Sequence, residues 1–306
     1  MASSTVPARS DGAVPAAAPS PPGAIDAPLP PAMAARASDL GVSKAGLDAT
    51  RTFVLAVLAG AFIALGAMFA TIVTAGAGDV PFGLARLAAG VVFCLGLLLV
   101  VAAGAELFTG NNLIVMAWAD RRVTLGRLLR NWGIVYAGNL VGAVATALLV
   151  FAARQHEFGD GAVGLNALTI ADTKASLGWG QAVALGILCN ALVCLAVWLS
   201  YGARSLTDKF FAILLPISAF VAAGFEHSVA NMYFLPLGLL VKGGAGDSFW
   251  ETTGASAGSY GDLTWTAAAF DNLVPVTIGN VFGGAVMVGL VYWLVYRRPV
   301  QGASGA

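Results

Sequence analysis

The chain has 306 residues, of which 58% are hydrophobic and only 10% are charged. A water-soluble domain carries about 25% charged residues, so sixteen basic and sixteen acidic side chains cannot cover the surface of a soluble protein of this length. The formal net charge of zero, without any long basic run, excludes a nucleic-acid-binding protein. The composition therefore indicates an integral membrane protein whose main partner is the lipid bilayer.

The first segment, residues 1–37, is rich in Ala, Pro and Ser and lacks the apolar core of a signal peptide. This composition predicts a disordered tail. A membrane domain is expected over 38–298, beginning with a short interfacial helix near Ser38, and a second short tail over 299–306.

Cysteines and histidines are few. The three cysteines lie in apolar runs, which is typical of packing residues rather than disulfides. With only two histidines in the chain, a zinc site is not expected. The sequence thus predicts no metal and no cofactor.

Apolar runs long enough to cross a bilayer recur along the chain. A crossing helix needs about 20 apolar residues, and charge-free runs occur at 52–78, 132–153, 175–203 and 272–296. Two further runs, 87–119 and 210–241, each contain a single carboxylate and are too long for one straight helix and too short for two. Each is interpreted as one crossing that is broken in the middle, which gives six transmembrane helices.

The basic residues predict the orientation of these helices. With both termini on the cytoplasmic side, the cytoplasmic segments hold twelve of the sixteen Lys and Arg residues. Cytoplasmic loops carry an excess of these residues in membrane proteins. We therefore expect a multi-pass protein with both termini in the cytoplasm.

Two motifs occur once in each half of the chain. Glu106-Leu-Phe-Thr-Gly-Asn111 and Glu226-His-Ser-Val-Ala-Asn231 lie inside the two broken runs, and Gly138-Asn139-Leu-Val-Gly142 is echoed by Gly279-Asn280-Val-Phe-Gly283. Three crossings per half, with the broken one in the middle, predict an inverted 3+3 repeat in which the second and fifth crossings are broken. The glycines of the second motif are expected to allow close helix packing.

The two breaks indicate a translocation site. Open backbone at membrane depth is tolerated only where protein or water satisfies it. Half-helices beginning near Asn111 and Ser228 are expected to direct partial positive charge to the centre, which suits a small anion. Glu106, Asn111, Glu226 and Asn231 are either functional polar groups or groups that satisfy the freed backbone; their matching positions favour the second interpretation.

His227 is the only histidine in a predicted crossing, and the first motif has Leu107 at the matching position. Because histidine titrates near neutral pH, His227 is the main functional candidate, against the alternative of a satisfied core residue. His156 falls in a polar outer loop and is expected to be solvated. Gly110, at the first break, is expected to provide left-handed backbone angles.

The same residues resemble a known family. The segments Glu106–Asn111 and Gly224–Met232 are similar to the two signature breaks of the formate/nitrite transporter family. The similarity continues through Val193–Lys209 and Asn272–Asn280 and covers roughly residues 40–298. The second half is most similar to the bacterial formate channel branch, whereas Gly110 stands where that branch has Ser and resembles branches that include nitrite carriers.

The resemblance implies an all-α, aquaporin-like protomer in a homopentamer of the bacterial inner membrane, with a pore in each protomer. It implies transport of formate, either coupled to protons or as anion flux through a channel, and no enzymatic activity. The alternative within the family is nitrite or another small monovalent weak-acid anion.

The resemblance also assigns roles to individual residues. His227 faces Thr109 across the pore and supplies a proton, Lys174 attracts the anion into the outer vestibule, and Asn190 is a polar pore residue near the histidine. Two apolar constrictions are implied, an outer one at Phe93, Leu97 and Phe220, and an inner one at Leu107, Phe108 and Val193.

Three rival functions are less consistent with the sequence. An aquaporin usually carries Asn-Pro-Ala repeats, and no Asn here is followed by Pro. An ammonium channel would be expected to use two facing pore histidines. An intramembrane enzyme would need a catalytic set, and the nearest arrangement is Glu226-His227-Ser228, whose adjacent side chains point in different directions.

Overall fold

The computed structural model describes residues 27–298, and every regular element in that range is helical. The predictions made for 1–26 and 299–306 lie outside the described residues. The helices, in chain order, are α1 (Pro30–Gly46), α2 (Ala49–Thr74), α3 (Phe82–Ala103), α4 (Phe108–Asn111), α5 (Val115–Ala119), α6 (Leu125–Ala152), α7 (Ala162–Ala175), α8 (Trp179–Gly202), α9 (Leu206–Ala222), α10 (Ser228–Gly244), α11 (Asp247–Thr253), α12 (Val274–Val281) and α13 (Val291–Tyr296).

Several helix starts are fixed by local polar side chains. The carboxylate of Asp48 accepts the backbone N–H of Arg51 at the start of α2, and the hydroxyl of Thr124 caps α6 in the same way. Ser205 and Asp208 form a reciprocal capping box at the start of α9. Such caps satisfy backbone donors that have no partner within the helix.

Within residues 27–298, five helices are long and apolar enough to cross a membrane: α2, α3, α6, α8 and the continuous helix Ala267–Tyr296. This last helix contains α12, α13 and two π-helical stretches, Ala267–Leu273 and Phe282–Leu290. The helices α9 and α10 have 17 residues each. The structure thus presents an all-helical protein with several membrane-length apolar helices.

The long helices pack in two similar groups. Helix α2 packs against α3 and α6, α8 packs against α9 and α12, and α3 and α9 join the groups. The backbones approach closely at Gly142, where an added Cβ would overlap the Val57 carbonyl oxygen, and at Gly283, where it would overlap that of Ile187. The prediction that these glycines allow close helix packing is confirmed.

Both predicted breaks are present. Helix α3 ends at Ala103, and the helix resumes at Phe108; helix α9 ends at Ala222, and α10 begins at Ser228. Each break contains one glycine with a left-handed backbone conformation, Gly104 (φ +79°) in the first and Gly224 (φ +74°) in the second. The expectation for Gly110 was wrong, because this residue lies inside the first turn of α4.

The first helix begins earlier than expected. Helix α1 starts at Pro30, and its Met33, Ala34, Ala37 and Ser38 are buried. Proline is well suited to the first turn of a helix because its missing N–H has no partner there in any case. The predicted boundary at residue 38 was therefore wrong, and the folded domain includes the preceding turns.

The prediction for His156 was also wrong. Its ring is 6% exposed, stacks on Phe151 at 4.8 Å between centroids and meets Phe249 edge-on at 5.7 Å. Phe249 belongs to α11, which lies in the Gly- and Ser-containing region 242–262 of the second half. That region therefore forms a small helix rather than an open loop, and the helix packs on the turn that holds His156.

Candidate functional site

The two breaks meet at Thr109 and His227. The Oγ1 atom of Thr109 lies 2.9 Å from Nε2 of His227, and both side chains are buried. The Nδ1 atom of the same imidazole accepts the backbone N–H of Ala230 at 3.0 Å, so His227 caps α10. Because Nδ1 is an acceptor, a neutral ring carries its proton on Nε2 and donates it to the Thr109 hydroxyl.

A large cavity opens on the His227 side of this contact. This Lys174 cavity, as we call it, has a volume of about 640 Å³, and its lining includes Lys174, Arg86, Phe93, Phe220 and His227. Phe220 stacks on His227 at 5.9 Å and meets Phe93 edge-on at 5.5 Å. Phe93 and Phe220, expected at the outer constriction, thus contact each other, and Phe220 contacts His227; their role as a constriction stays a prediction.

A second, smaller cavity shares no lining residue with the first. This Lys44 cavity has a volume of about 300 Å³, and its lining includes Lys44, Glu106, Leu97, Leu107 and Gly110. Leu97 was expected to form one constriction with Phe93 and Phe220, but it lines this second cavity, whereas they line the first. His227 thus lines one cavity, and Leu107 and Gly110, on either side of Thr109 in the chain, line the other.

The carboxylate of Glu226 is fully paired although it is buried. Its Oε1 accepts Nζ of Lys174 at 2.7 Å, and its Oε2 accepts the amides of Asn231 at 2.6 Å and Asn272 at 3.2 Å. Asn231 also donates to Asn272 at 2.7 Å. A buried carboxylate needs such partners, because an unpaired charge is very costly in an apolar environment.

Glu106 has the same environment in the first half. Its Oε1 accepts Nζ of Lys44 at 2.6 Å, and its Oε2 accepts the amide of Asn111 at 2.6 Å. Asn111 donates in turn to Asn131 at 3.0 Å. The amide of Asn131 donates to the backbone carbonyl of Lys44, and the amide of Asn272 donates to that of Lys174. The two halves thus build one network twice.

The freed backbone of the first break is satisfied by Asn139. Its Oδ1 accepts the N–H of Phe108 at 2.9 Å, and its Nδ2 donates to the carbonyls of Ala56 at 2.7 Å and Glu106 at 2.9 Å. The half-helix therefore begins at Phe108 rather than near Asn111 as expected. Asn139 also ties the break to α2 and α6, which fixes its position between those helices.

Asn280 does the same for the second break. Its Oδ1 accepts the N–H of Ser228 at 2.9 Å, and its Nδ2 donates to the carbonyls of Gly186 at 2.8 Å and Glu226 at 2.9 Å. The expectation that the Glu and Asn residues of the break motifs satisfy the freed backbone was therefore wrong in detail. The carboxylates bind side-chain donors, and the asparagines of α6 and α12 bind the backbone.

Asn190 is placed beside Thr109 but is not exposed to either cavity. Its amide donates to the carbonyl of Asn280 at 2.7 Å, to Oδ1 of Asn112 at 2.8 Å and to the carbonyl of Thr109 at 3.3 Å. The side chain is fully buried. In this conformation it supports the backbone of the Thr109 turn, which leaves its predicted contact with a permeating ion as an expectation.

Phe108 and Val193 are buried, and neither lines one of the two cavities. Phe108 packs edge-on against Trp132 and Tyr136, at 6.3 and 5.0 Å between ring centroids. Of the three residues predicted for the inner constriction, Leu107 alone faces a cavity.

Lys44, Asn131 and Asn272 belong to the site but were not predicted from the sequence. A signal for the lysine was present, since Lys44-Ala-Gly-Leu and Lys174-Ala-Ser-Leu are nearly the same four residues. A signal for the asparagines was present too, since Asn131 stands eight residues before Asn139, and Asn272 stands eight residues before Asn280.

The arrangement also bears on the intramembrane-enzyme alternative. The imidazole of His227 contacts Thr109 and the helix backbone, not Ser228. Within residues 27–298, the Ser228 hydroxyl has no hydrogen-bond partner. A histidine-activated serine is therefore not assembled at this break.

The chain was compared with known proteins. The formate/nitrite transporter family model matches residues 31–294. Formate channel FocA of Escherichia coli (strain K12) is 47% identical over 274 residues, which cover 90% of this chain and 96% of the relative. The probable formate transporter of Methanothermobacter thermautotrophicus is 40% identical over 265 residues, covering 81% and 89%.

Two solved structures are similar over most of the fold. One is described as a pentameric formate channel with formate bound; the TM-score is 0.78 at 46% sequence identity, and the match covers 82% of this chain and 98% of that chain. The other is described as an FNT family ion channel, with a TM-score of 0.73 at 28% identity and coverage of 86% and 98%.

Proposed function

The chain belongs to the formate/nitrite transporter family, and from this membership we propose that it carries formate across the membrane through a pore in each protomer. We infer that the two cavities approach the Thr109–His227 contact from opposite sides, because His227 lines one of them and Leu107 and Gly110, on either side of Thr109 in the chain, line the other. The proposal is also supported by the relatives, whose names identify them as formate channels. The opposed cavities, separated by an apolar barrier, carry the proposal most directly.

We further propose six crossings arranged as two inverted repeats. In this arrangement α9 and α10 together form the fifth crossing, and α3 with α4 and α5 forms the second. The duplicated network supports it, because Lys44, Glu106 and Asn111 in one half correspond to Lys174, Glu226 and Asn231 in the other. The protein is then a homopentamer of aquaporin-like protomers in a bacterial inner membrane, with both termini cytoplasmic and the Lys174 cavity on the outer side.

The barrier between the cavities favours a neutral species. Phe93, Phe220, Leu97 and Leu107 offer no hydrogen bonds, so a bare anion would lose its hydration there without compensation. Formate that has accepted a proton avoids most of this cost. The proposed cycle therefore protonates the anion on one side of the barrier and releases the proton on the other.

His227 is the proposed proton donor. In the described conformation its Nε2–H points to Thr109, and an anion that displaces the hydroxyl becomes the acceptor of this hydrogen bond. A cationic ring needs both nitrogens as donors, so Nδ1 must release the N–H of Ala230. Proton delivery is thereby coupled to uncapping of α10 and to movement at the second break.

Lys174 has a different part in this proposal from the one first expected. It is not a lone cation in the vestibule, because it is 2.7 Å from the carboxylate of Glu226. Its charge prevents Glu226 from repelling an approaching anion. The residue therefore makes the Lys174 cavity accessible to anions even where it does not supply net attraction.

Nitrite is the alternative substrate, because it has the same charge and a similar bent shape. Purified protein in planar bilayers separates the two, with currents recorded in formate, nitrite and lactate over a pH series. We expect formate to carry the largest current, with pH dependence through the range where histidine titrates. Currents that are absent in formate and present in nitrite would reassign the substrate, and absent currents in all three anions would refute transport.

A further inference from the structure

Arg86, on α3, lines the Lys174 cavity at the second break. Its Nη2 donates to the carbonyl of Val221 at 2.6 Å and its Nε to that of Ala222 at 3.1 Å, which satisfies the end of α9. The neighbouring Gly224 has a positive φ, and an added Cβ there would be 3.1 Å from the guanidinium. The side chain is thus held in place by backbone rather than by a carboxylate.

The charges of the cavity leave Arg86 as its surplus cation. The Lys, Arg, Asp and Glu residues among the lining residues are Arg86, Lys174 and Glu226. Lys174 and Glu226 are paired at 2.7 Å and cancel. His227 is neutral with Nδ1 as an acceptor. The net positive charge that an entering anion meets is therefore that of Arg86.

The guanidinium also has free donors in a useful arrangement. Arginine carries five N–H groups, and two of them bind the α9 carbonyls along the Nε–Nη2 edge. Within residues 27–298, the other three have no hydrogen-bond acceptor. They include the end-on pair on Nη1 and Nη2, which matches the two oxygens of a carboxylate.

We infer that Arg86 is the residue that recruits and orients the anion in the Lys174 cavity, and that it selects planar anions with two oxygens. This inference rests on the proposed function, since it names the contact that the substrate makes on entry. Lys174 then balances Glu226, and Arg86 provides the attraction. A planar carboxylate such as formate can bind both end-on N–H groups, whereas a single-atom anion cannot.

The opposite cavity contains a related arrangement. Lys209, on α9, lines the Lys44 cavity together with Gly104 of the first break, as Arg86 on α3 lies beside Gly224 of the second. Lys44 is paired with Glu106 there, which leaves Arg36 and Lys209 as the uncancelled cations of its lining. Both cavities thus contain basic side chains besides the buried lysine–glutamate pair.

The test measures formate uptake by proteoliposomes containing the full-length protein, from subsaturating to saturating formate and at low and high salt. Arg86→Gln keeps a donor for the α9 carbonyls and removes the charge. We expect its uptake at low formate and low salt to fall by roughly three- to tenfold, with the saturating rate unchanged. High salt should remove the difference because it screens the charge.

Arg86→Lys separates charge from geometry, because it retains the salt dependence but lacks the planar pair of donors. We expect it to bind formate more weakly than the wild type does, with the salt dependence of the wild type. Arg154→Gln is the matched control, since Arg154 is exposed, pairs with Glu157 and lines neither cavity. Its uptake should equal that of the wild type.

A second variant leaves Arg86 untouched in case the glutamine variant fails to assemble. Thr169 is exposed on α7 and lines the same cavity. Thr169→Glu places a negative charge in the cavity that Arg86 lines and should reproduce the loss at low formate, whereas Thr169→Gln should not. If the wild type takes up formate and either Arg86→Gln or Thr169→Glu takes it up equally well at low salt, the role of Arg86 is overturned and the proposed function is not. Absent uptake by the wild type would refute the proposed function and this role with it.

Discussion

The Nε2 atom of His227 lies 2.9 Å from the Oγ1 atom of Thr109, and these two residues belong to different breaks. One hydrogen bond therefore joins two interruptions that are far apart in the sequence. His227 is held on its other side by the backbone of α10. If formate passes between the two cavities as proposed, it must separate this pair, so we expect the pair to control permeation.

The first prediction concerns the proton of His227. Asn is also a good helix N-cap, so His227→Asn should cap α10 and assemble normally, while it lacks a group that titrates near neutral pH. We expect formate uptake to lose its coupling to proton movement. The measurement is simultaneous formate flux and internal pH in proteoliposomes from acidic to neutral pH. Proton-coupled uptake with an unaltered pH profile would return His227 to a structural role.

The second prediction concerns the buried ion pairs. Lys174→Met leaves the carboxylate of Glu226 without a cation, and breaking a buried pair in this way costs about 3–5 kcal/mol. The double variant Lys174→Met/Glu226→Gln should regain most of the lost stability. Thermal unfolding of the purified protein in detergent measures both. Equal stability of the single and double variants would contradict this pairing energy.

Lys44 provides the matched comparison for that experiment. Its side chain is 28% exposed, against 15% for Lys174, while both carboxylates are 4% exposed. Water can therefore reach the first pair more easily and screen a charge left behind. We expect Lys44→Met to destabilise the protein less than Lys174→Met does, when both are measured in the same thermal assay.

The third prediction concerns backbone angles. Gly104 has a φ of +79° with open space where a Cβ would stand, so Gly104→Ala should be destabilising through the left-handed angle alone, by about 1–2 kcal/mol. Gly110 is helical, and a Cβ there would be in ordinary contact with Val197. Gly110→Ala should therefore be tolerated. The midpoints of thermal unfolding compare the two, and the reverse order of stability would contradict the assignment.

The fourth prediction concerns pH. Burial between Phe151 and Phe249 lowers the pKa of His156 from its ordinary 6.5, with Glu157 opposing the shift and Arg154 adding to it. When α11 undocks, the ring binds protons with its ordinary pKa. Docking is therefore fully stable above about pH 6.5 and weakens as the pH falls below that value.

Hydrogen exchange of α11 between about pH 5 and 8, the range in which an unperturbed histidine changes charge, measures this effect. Protection should fall at the acidic end in the wild type, after correction for the intrinsic pH dependence of exchange. His156→Phe keeps the stacking and removes the titration, so its protection should not change with pH. A fall of the same size in both proteins would show that other groups control the docking.

The positions of the breaks could be predicted from the sequence because a single carboxylate in a long apolar run is a local signal. Glu106 and Glu226 were found in this way, and the repeated Gly-Asn motifs indicated Asn139 and Asn280. The partners of these residues were not predictable. Whether Glu226 binds backbone or Lys174 depends on how α7 packs against α10, and the apolar periodicity contains no information about that.

His156 and Arg86 show two further limits. A histidine in a polar turn is expected to be solvated, but His156 is buried between Phe151 of α6 and Phe249 of α11. Arg86 was counted as one charge in the orientation of the helices, because its position beside Gly224 depends on the contact between α3 and α9. Both outcomes are set by tertiary packing between segments distant in the chain.

The asparagines that close the two breaks come late in the order of synthesis. The N–H of Phe108 is bound by Asn139, 31 residues further on, and the N–H of Ser228 by Asn280, 52 residues further on. The backbone groups of each break therefore have no such acceptor until the later asparagine has been synthesised. The second break waits longer than the first, so the two breaks cannot close at the same stage of synthesis.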